Sequence, residues 1–380
     1  MKYLNRTILP VIKNTLQPGK VIVLIGPRRV GKTVLIKQLL ADVSEPFLLF
    51  NGEDIATREF FKRRSVENFL QLLDGKRFLV IDEAQKIPDI GNALKLMIDE
   101  INGLSVLITG SSAFDVENYT GEPLTGRKYT FHLFALSEAE YDQVEHILTQ
   151  KDKLRERLVY GNYPELLQLE TKAQKNRYLN DLVNSYLLKD ILAFEQIKNS
   201  DKLISLLRLL AFQTGNLVST TELGKQLGMS SNTVNKYLDL LSKVFIIYKI
   251  GGFSRNLRKE LTKSNKWYFF DNGIRNILIA NMNPLELRND IGQLWENYMI
   301  SERIKYQHYS GMIVNNYFWR TYDQQEVDWI EERGGKLYAY EFKWSPKKRV
   351  KKPGGWKRNY PDAQFEVINQ ENYKDWLRTT

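Results

Sequence analysis

The chain has no cysteine, which excludes disulfides, cysteine-ligated zinc and thiol catalysis together. Histidine is nearly as scarce. His132, His146 and His308 are dispersed along the sequence and suggest no metal cluster. No uninterrupted apolar run approaches the length of a membrane span, and the opening MKYLNRTILPVIKN lacks the long apolar core of a secretory leader. These absences lead us to expect a cytoplasmic protein with no membrane partner. Neither sign of charge dominates: 55 Lys and Arg against 45 Asp and Glu leave a net +10. An excess of that size permits an anionic partner without requiring one.

What is present suits a globular protein. The 380 residues are 43% hydrophobic and 12% aromatic, enough for the cores of two to four domains. The first informative stretch is VIVLIGPRRVGKTVLIKQLLADV. Val21–Ile25 is an apolar, β-branched run suited to a strand buried on both faces. The residues that follow fit the pattern G-x-x-x-x-G-K-T, with Gly26, Gly31, Lys32 and Thr33 at its fixed positions. Glycines let such a loop wrap so that backbone N–H groups face phosphate oxygens. Lysine then reaches the β and γ phosphates, and the threonine hydroxyl ligates Mg2+. The candidate nucleotide-binding set is Gly26, Pro27, Arg28, Arg29, Val30, Gly31, Lys32, Thr33 and Val34. An apolar helix over Val34–Leu40 places its positive N-terminal end toward the anion.

A second apolar strand, in RFLVIDEAQKI (77–87), ends in Asp82 and Glu83. Asp82 is expected to hold Mg2+ together with Thr33, and Glu83 to polarise the attacking water. A third strand, LSVLITGSS (104–112), ends in Thr109, Ser111 and Ser112, any of which could sense the γ-phosphate. Arg127 is a candidate arginine finger, serving its own chain's nucleotide or, in a homo-oligomer, a neighbour's.

The segments GPRRVGKT, FLVIDEAQ, ITGSS, LTGR, LSEAEY and GNYPELL (161–167) occur in that order in the predicted AAA-type ATPases of bacteria and archaea. The chain resembles that group of the AAA+ superfamily over most of its length. The resemblance implies an α/β P-loop core, ATP as ligand, Mg2+ as cofactor and hydrolysis as the reaction. It assigns Gly26, Gly31, Lys32 and Thr33 to nucleotide, Asp82 and Glu83 to hydrolysis, and Arg127 to the finger.

Beyond the expected core (1–136), residues 137–200 read as amphipathic helices forming a lid or bundle. Lys189 and Asp190 belong to its solvated face. Residues 201–275 read as a winged helix-turn-helix. Thr220–Leu227 forms one helix, Gly228 the turn, and Ser230 or Ser231 caps a second helix. On that second helix Val234, Tyr237, Leu238 and Leu241 share a buried face, and two strands follow. Such a module either contacts DNA or packs against protein. Arg255, Arg258, Lys259, Lys263 and Lys266 around the wing favour nucleic acid, while Asp239 on the outward face does not.

In the last expected domain (276–380), IGQLWENYMISERIKY reads as a helix bearing Glu296. EVDWIEER and GGKLYAYEFKW read as antiparallel strands turning at Gly334 and Gly335. Alternation along a strand puts Glu341 and Lys343 on one face, with Asp328 within reach across the ladder. That order of residues resembles the PD-(D/E)xK nucleases, within a restriction-endonuclease-like α/β fold. The resemblance implies that Glu296, Asp328 and Glu341 hold a metal while Lys343 activates water. KWSPKKRVKKPGGWKR (343–358) then carries eight basic residues and no acid. Its Trp344 and Trp356 are expected to stack bases while the cations grip phosphates, DNA being favoured over RNA. Two functions fit this sequence: an ATPase coupled to a nucleic-acid-binding or nucleic-acid-cutting module, or a nucleotide switch whose second half docks protein partners.

Overall fold

The structure is a computed structural model and describes residues 4–111, 123–187, 200–255 and 265–379. Ser112, Lys189, Asp190, Arg258, Lys259 and Lys263 lie outside the described residues. The chain divides into two compact units, Met1–Val144 and Glu145–Thr380.

The first unit is built on a five-stranded, all-parallel sheet. In chain order its strands are β1 (Lys20–Ile25), β2 (Phe47–Asn51), β3 (Phe78–Asp82), β4 (Ser105–Gly110) and β5 (Lys128–His132). They lie in the order β2-β3-β4-β1-β5. Every residue of β3 and β4 is buried, as expected of central strands covered on both faces. Because β1, β3 and β4 are parallel neighbours, the residues after Ile25, Asp82 and Gly110 emerge at one edge of the sheet. In open α/β sheets the carboxyl edge is where ligands bind. The expected strands and the helix after the loop are present, the latter running over Lys32–Ala41.

The second unit holds a seven-stranded mixed sheet. Its strands are β6 (Leu217–Val218), β7 (Ile247–Gly252), β8 (Asn265–Phe269), β9 (Asn315–Arg320), β10 (Glu326–Arg333), β11 (Lys336–Phe342) and β12 (Gln364–Ile368). Their order is β12-β11-β10-β9-β7-β8-β6. Helices Thr220–Leu227 and Ser231–Lys243 precede β7, with Gly228 left-handed between them (φ 60°) and the Ser230 hydroxyl capping the second. Val234, Leu238 and Leu241 are buried, and Tyr237 is half-buried.

This sheet continues across position 275, where sequence suggests a boundary. Strands β7 and β8 join β9 through a parallel β7–β9 pairing, Gly251 opposite Tyr317 and Gly252 opposite Phe318. One ladder therefore runs from β6 to β12. Nothing in the local pattern of residues 247–252 signals a partner 66 positions later (251 to 317), because strand periodicity reports a buried face and not the strand's neighbour.

The twenty-residue helix Ile291–Ser310 packs on β8 and β11. Asn297 pins it there. Its carbonyl accepts from the Phe269 N–H (2.7 Å), and its amide donates to the Phe269 carbonyl (3.0 Å) and to Asn272 (2.7 Å). The segment GNYPELL anchors to the same region. Gly161 is left-handed, and a Cβ on it would lie 1.9 Å from an Asp271 carboxylate oxygen. The Asn162 N–H donates to Asp271 (2.7 Å), and its side-chain amide donates to Glu302 (2.7 Å).

Candidate functional site

The loop after β1 is shaped by two glycines used differently. Gly31 is left-handed (φ 97°) and begins the helix Lys32–Ala41, a conformation that β-carbon sterics disfavour. Gly26 is needed for space, since a Cβ there would sit 2.0 Å from the Leu133 carbonyl oxygen. Lys32, only 6% exposed, folds back so that its ammonium donates to the carbonyls of Gly26 (2.9 Å) and Pro27 (3.0 Å).

At the neighbouring strand end, Asp82 is buried and receives two hydroxyls. The Thr33 hydroxyl donates at 2.7 Å, and that of Thr109 donates to the other oxygen. The Thr109 oxygen in turn accepts the Glu83 N–H (3.0 Å). Glu83 is half-buried and left-handed (φ 51°), and its carboxylate accepts from the Gln85 amide (2.6 Å), which also donates to Ser111 (3.1 Å). Lys32, Thr33, Asp82, Glu83, Thr109 and Ser111 thus meet at one sheet edge. The hydrogen bond between Thr33 and Asp82 brings both oxygens within reach of one small cation. These residues fit ATP and Mg2+.

Arg127 stands elsewhere. It immediately precedes β5, whose first residue pairs with Val21 at the start of β1. It therefore lies at the amino edge of the sheet, the opposite end from the loop. Its guanidinium there forms a two-pronged pair with Asp99 (2.6 and 3.0 Å). It stands away from the loop of its own chain, so a finger role would require a neighbouring copy.

One organising residue has no motif to announce it. Arg6 is buried and donates to the Val30 carbonyl in the loop (2.6 Å), the Phe134 carbonyl (2.6 Å) and Glu140 (3.0 Å). Glu140, fully buried, also accepts from the Thr7 and Ser137 N–H groups (2.8 and 2.9 Å). The segment LSEAEY thereby acquires a physical role: its second acid is the anchor of the cation that braces the loop.

In the second unit Trp329 pairs with Tyr340, so Asp328 lies level with Glu341 on the adjacent strand. The Lys343 ammonium stands 2.7 Å from Glu341 and 3.5 Å from Asp328, whose carboxylate also accepts the Phe342 N–H (2.9 Å). The Glu341 Oε2 atom is buried without a hydrogen-bond partner. Burial and then the Asp328 charge push the Glu341 carboxyl up to about 7, against the pull of Lys343. Burial lowers Lys343, but Asp328 and Glu341 outweigh it and hold the ammonium above its ordinary value. A Glu341 carboxyl raised chiefly by burial, with one oxygen unsatisfied and Asp328 beside it, fits a divalent cation, which would relieve both penalties.

Glu296 reaches the same face of the sheet but keeps other company. It accepts from the Tyr268 hydroxyl (2.6 Å) and lies 3.5 Å from the Lys266 ammonium. Burial first, then Asp328, raise its carboxyl to about 7. Among the described residues no three His, Cys, Asp or Glu side chains are gathered as a metal-binding group. The expected trio of Glu296, Asp328 and Glu341 is instead spaced by two lysines, because bare carboxylates at contact repel and an ammonium relieves that repulsion.

Three surface readings change. Lys266 is 1% exposed and belongs to this cluster, not to an outer wing. Trp356 is fully buried between Trp319 (ring centroids 5.3 Å apart) and Tyr360 (4.4 Å), so it stacks on no base. Trp344 is half-buried and packs edge-on against Trp295 (5.3 Å). Aromatic rings between lysines read alike whether they face solvent or anchor a loop. Lys347, Lys348, Arg349, Lys351, Lys357 and Arg358 are exposed or half-exposed.

Comparison with known proteins agrees with this division. Residues 18–142 match the AAA domain family, so the first unit is a P-loop ATPase domain of AAA type, a class that binds and hydrolyses nucleotide. Residues 151–286 and 291–375 match two domains of unknown function, DUF8612 and DUF4143. The uncharacterized protein Rv2008c of Mycobacterium tuberculosis is 25% identical over 337 residues, 87% of this chain and 72% of its own. An uncharacterized protein of Haemophilus influenzae is 26% identical over 342 residues, 83% of this chain and 80% of its own. Among solved structures, a signal-transduction ATPase with numerous domains, PH0952 from Pyrococcus horikoshii, aligns over 80% of this chain at 13% identity and a TM-score of 0.32. Pif1 helicase from Candida albicans aligns over 47% at 17% identity and a TM-score of 0.28. The chain spans 45% and 47% of the lengths of these two structures. No helix among the described residues is long and apolar enough to cross a membrane.

Proposed function

We propose that this chain is a magnesium-dependent ATPase whose second unit binds nucleic acid and cuts it at Asp328, Glu341 and Lys343. The observation that carries the proposal is the arrangement on β10 and β11: two carboxylates level with each other, one oxygen without a partner, and a lysine at 2.7 Å. Asp328 and Glu341 would hold Mg2+, which when bound stabilises the charge that develops on a phosphodiester under attack. Lys343 holds a proton firmly and so orients a water or the phosphate, donating a hydrogen bond and not accepting a proton. The neighbouring exposed cations of residues 347–358 supply the attraction for a polyanion.

The segment 217–269 fits a winged helix-turn-helix, with its strands built into the same sheet as the cutting site. That continuity gives a nucleic-acid contact and a catalytic face one rigid support. In the first unit Lys32 would hold the β and γ phosphates, Thr33 and Asp82 the magnesium, and Glu83 the water.

The test is a nicking assay with supercoiled DNA and with structured RNA, in Mg2+ and in Mn2+. Wild type should cut and Asp328→Ala should not. Absence of cutting in every metal and nucleotide state would leave a nucleotide switch that docks partners.

A further inference from the structure

The carboxylates on this face divide into two pairs, each with its own lysine. Lys343 serves Asp328 and Glu341. Lys266 serves Glu296 at 3.5 Å and Glu326, which it contacts directly. The two lysines differ in kind. Lys343 follows β11 and is 21% exposed at its side chain, so it has room to turn toward a ligand, whereas Lys266 is 2% exposed. Lys266 also lies over the Phe318 ring, 5.4 Å from its centre. Its strand is clamped to the helix bearing Glu296 by the two hydrogen bonds between Asn297 and Phe269. Tyr268, two residues along that strand, donates to the same Glu296 oxygen. Arg320 takes the other side of Glu326 (3.4 Å).

We propose that Lys266 is a built-in cation that closes the Glu296–Glu326 half of this face to divalent metal, restricting the site to one ion at Asp328 and Glu341. The inference rests on the metal-site reading above and deepens it. An ammonium so placed occupies the negative potential a second ion would need, and it repels that ion at contact range. Removing it would leave two half-buried carboxylates without their shared ammonium, Glu296 keeping Tyr268 and Glu326 keeping Arg320. Lys266 is therefore a positioning residue: it fixes Glu296 and Glu326 and sets the metal count without touching the reacting phosphate. It also makes the site composite, since Lys266 comes from the 151–286 region and the acids from the 291–375 region.

The experiment counts Mn2+ on the full-length, nucleotide-free chain by electron paramagnetic resonance of the free ion during titration. Wild type and Lys266→Arg should each bind one Mn2+ that disappears with Asp328→Ala. Lys266→Met, matched in shape but uncharged, should bind one more, and that extra ion should vanish on adding Glu296→Gln. A folded Lys266→Met with the wild-type count overturns the proposal. Two variants decide the matter even if Lys266→Met fails to fold. Glu296→Gln and Glu326→Gln should each retain the single Asp328-dependent ion, and loss of that ion in either would show that these acids already hold it. A wild type with no Asp328-dependent Mn2+ defeats the underlying metal reading, an outcome distinct from an unchanged count in Lys266→Met.

Discussion

The two sites are assembled by opposite means. The first is built chiefly by backbone: a glycine loop, a helix start and three parallel strand ends, with Lys32 resting on the carbonyls of its own loop. The second is built by side chains, with residues from 266 to 343 brought onto one sheet face and charges of both signs balanced across it. A backbone site keeps its shape without ligand. A charge-balanced site is sensitive to pH, to salt and to the loss of any one partner.

The largest difference should appear in activity. Lys32→Ala removes the cation aimed at phosphate and should lower ATP turnover at least about 100-fold, measured by phosphate release. The same substitution should leave the melting of the second unit unchanged.

Stability sharpens the contrast. Arg303 and Glu331 are a fully buried pair (2.6 and 2.8 Å) at the heart of the second unit. Gln307 and Trp329 also donate to Glu331. Arg303→Met removes both bonds of that pair, leaving Glu331 to Gln307, Trp329 and Arg333 (3.1 Å), and should cost about 3–5 kcal/mol in that unit's unfolding transition. Arg6→Ala is the counterpart in the first unit. Arg6 meets Glu140 through one hydrogen bond, where Arg303 grips Glu331 with two, so we expect a smaller cost of about 2–3 kcal/mol, together with weaker nucleotide binding once the brace on Val30 is removed. Calorimetry that found the two costs equal or reversed would contradict this ranking.

The pH response should separate the units next. Glu296 and Glu341 have folded-state values of about 7, above the ordinary carboxylate range. The native form therefore holds their protons more tightly than the unfolded chain does. Their contribution is present below about pH 4.5 and is lost as pH rises toward 7. A divalent cation at Asp328 and Glu341 replaces the proton that leaves Glu341, so Mn2+ should raise the second unit's melting temperature more at pH 8 than at pH 5.5. The smallest effect belongs to the exposed cations. Changing Lys347, Lys348 and Arg349 to Gln should alter stability by less than about 0.5 kcal/mol. It should still flatten the log–log salt dependence of DNA binding by about 0.9 for each phosphate no longer neutralised.

The same contrast governs what is legible before folding. Gly26, Gly31, Lys32 and Thr33 lie within eight positions, and a local spacing dictates their geometry, so the motif and its flanking strand and helix can be read directly. The helix from Thr220, the turn at Gly228 and the Ser230 cap are legible for the same reason, as is the pairing of Asp328 with Glu341, which needs one hairpin. Lys266 is not. Its place beside Glu296 depends on the β7–β9 pairing and on the Asn297 clamp, and a lysine next to a wing looks like any surface cation. Trp356 misleads in the same way, since burial is a property of the assembled sheet. Arg6 has one signal in the sequence, the second acid of LSEAEY, which calls for a buried partner without naming it.

The most direct measurement is to assay both activities in one preparation of wild type, Lys32→Ala and Asp328→Ala. The two-site account predicts that Asp328→Ala hydrolyses ATP but does not cut nucleic acid, while Lys32→Ala fails to hydrolyse ATP and still binds metal at Asp328. Cutting that survives Asp328→Ala would contradict it, as would ATP hydrolysis that survives Lys32→Ala.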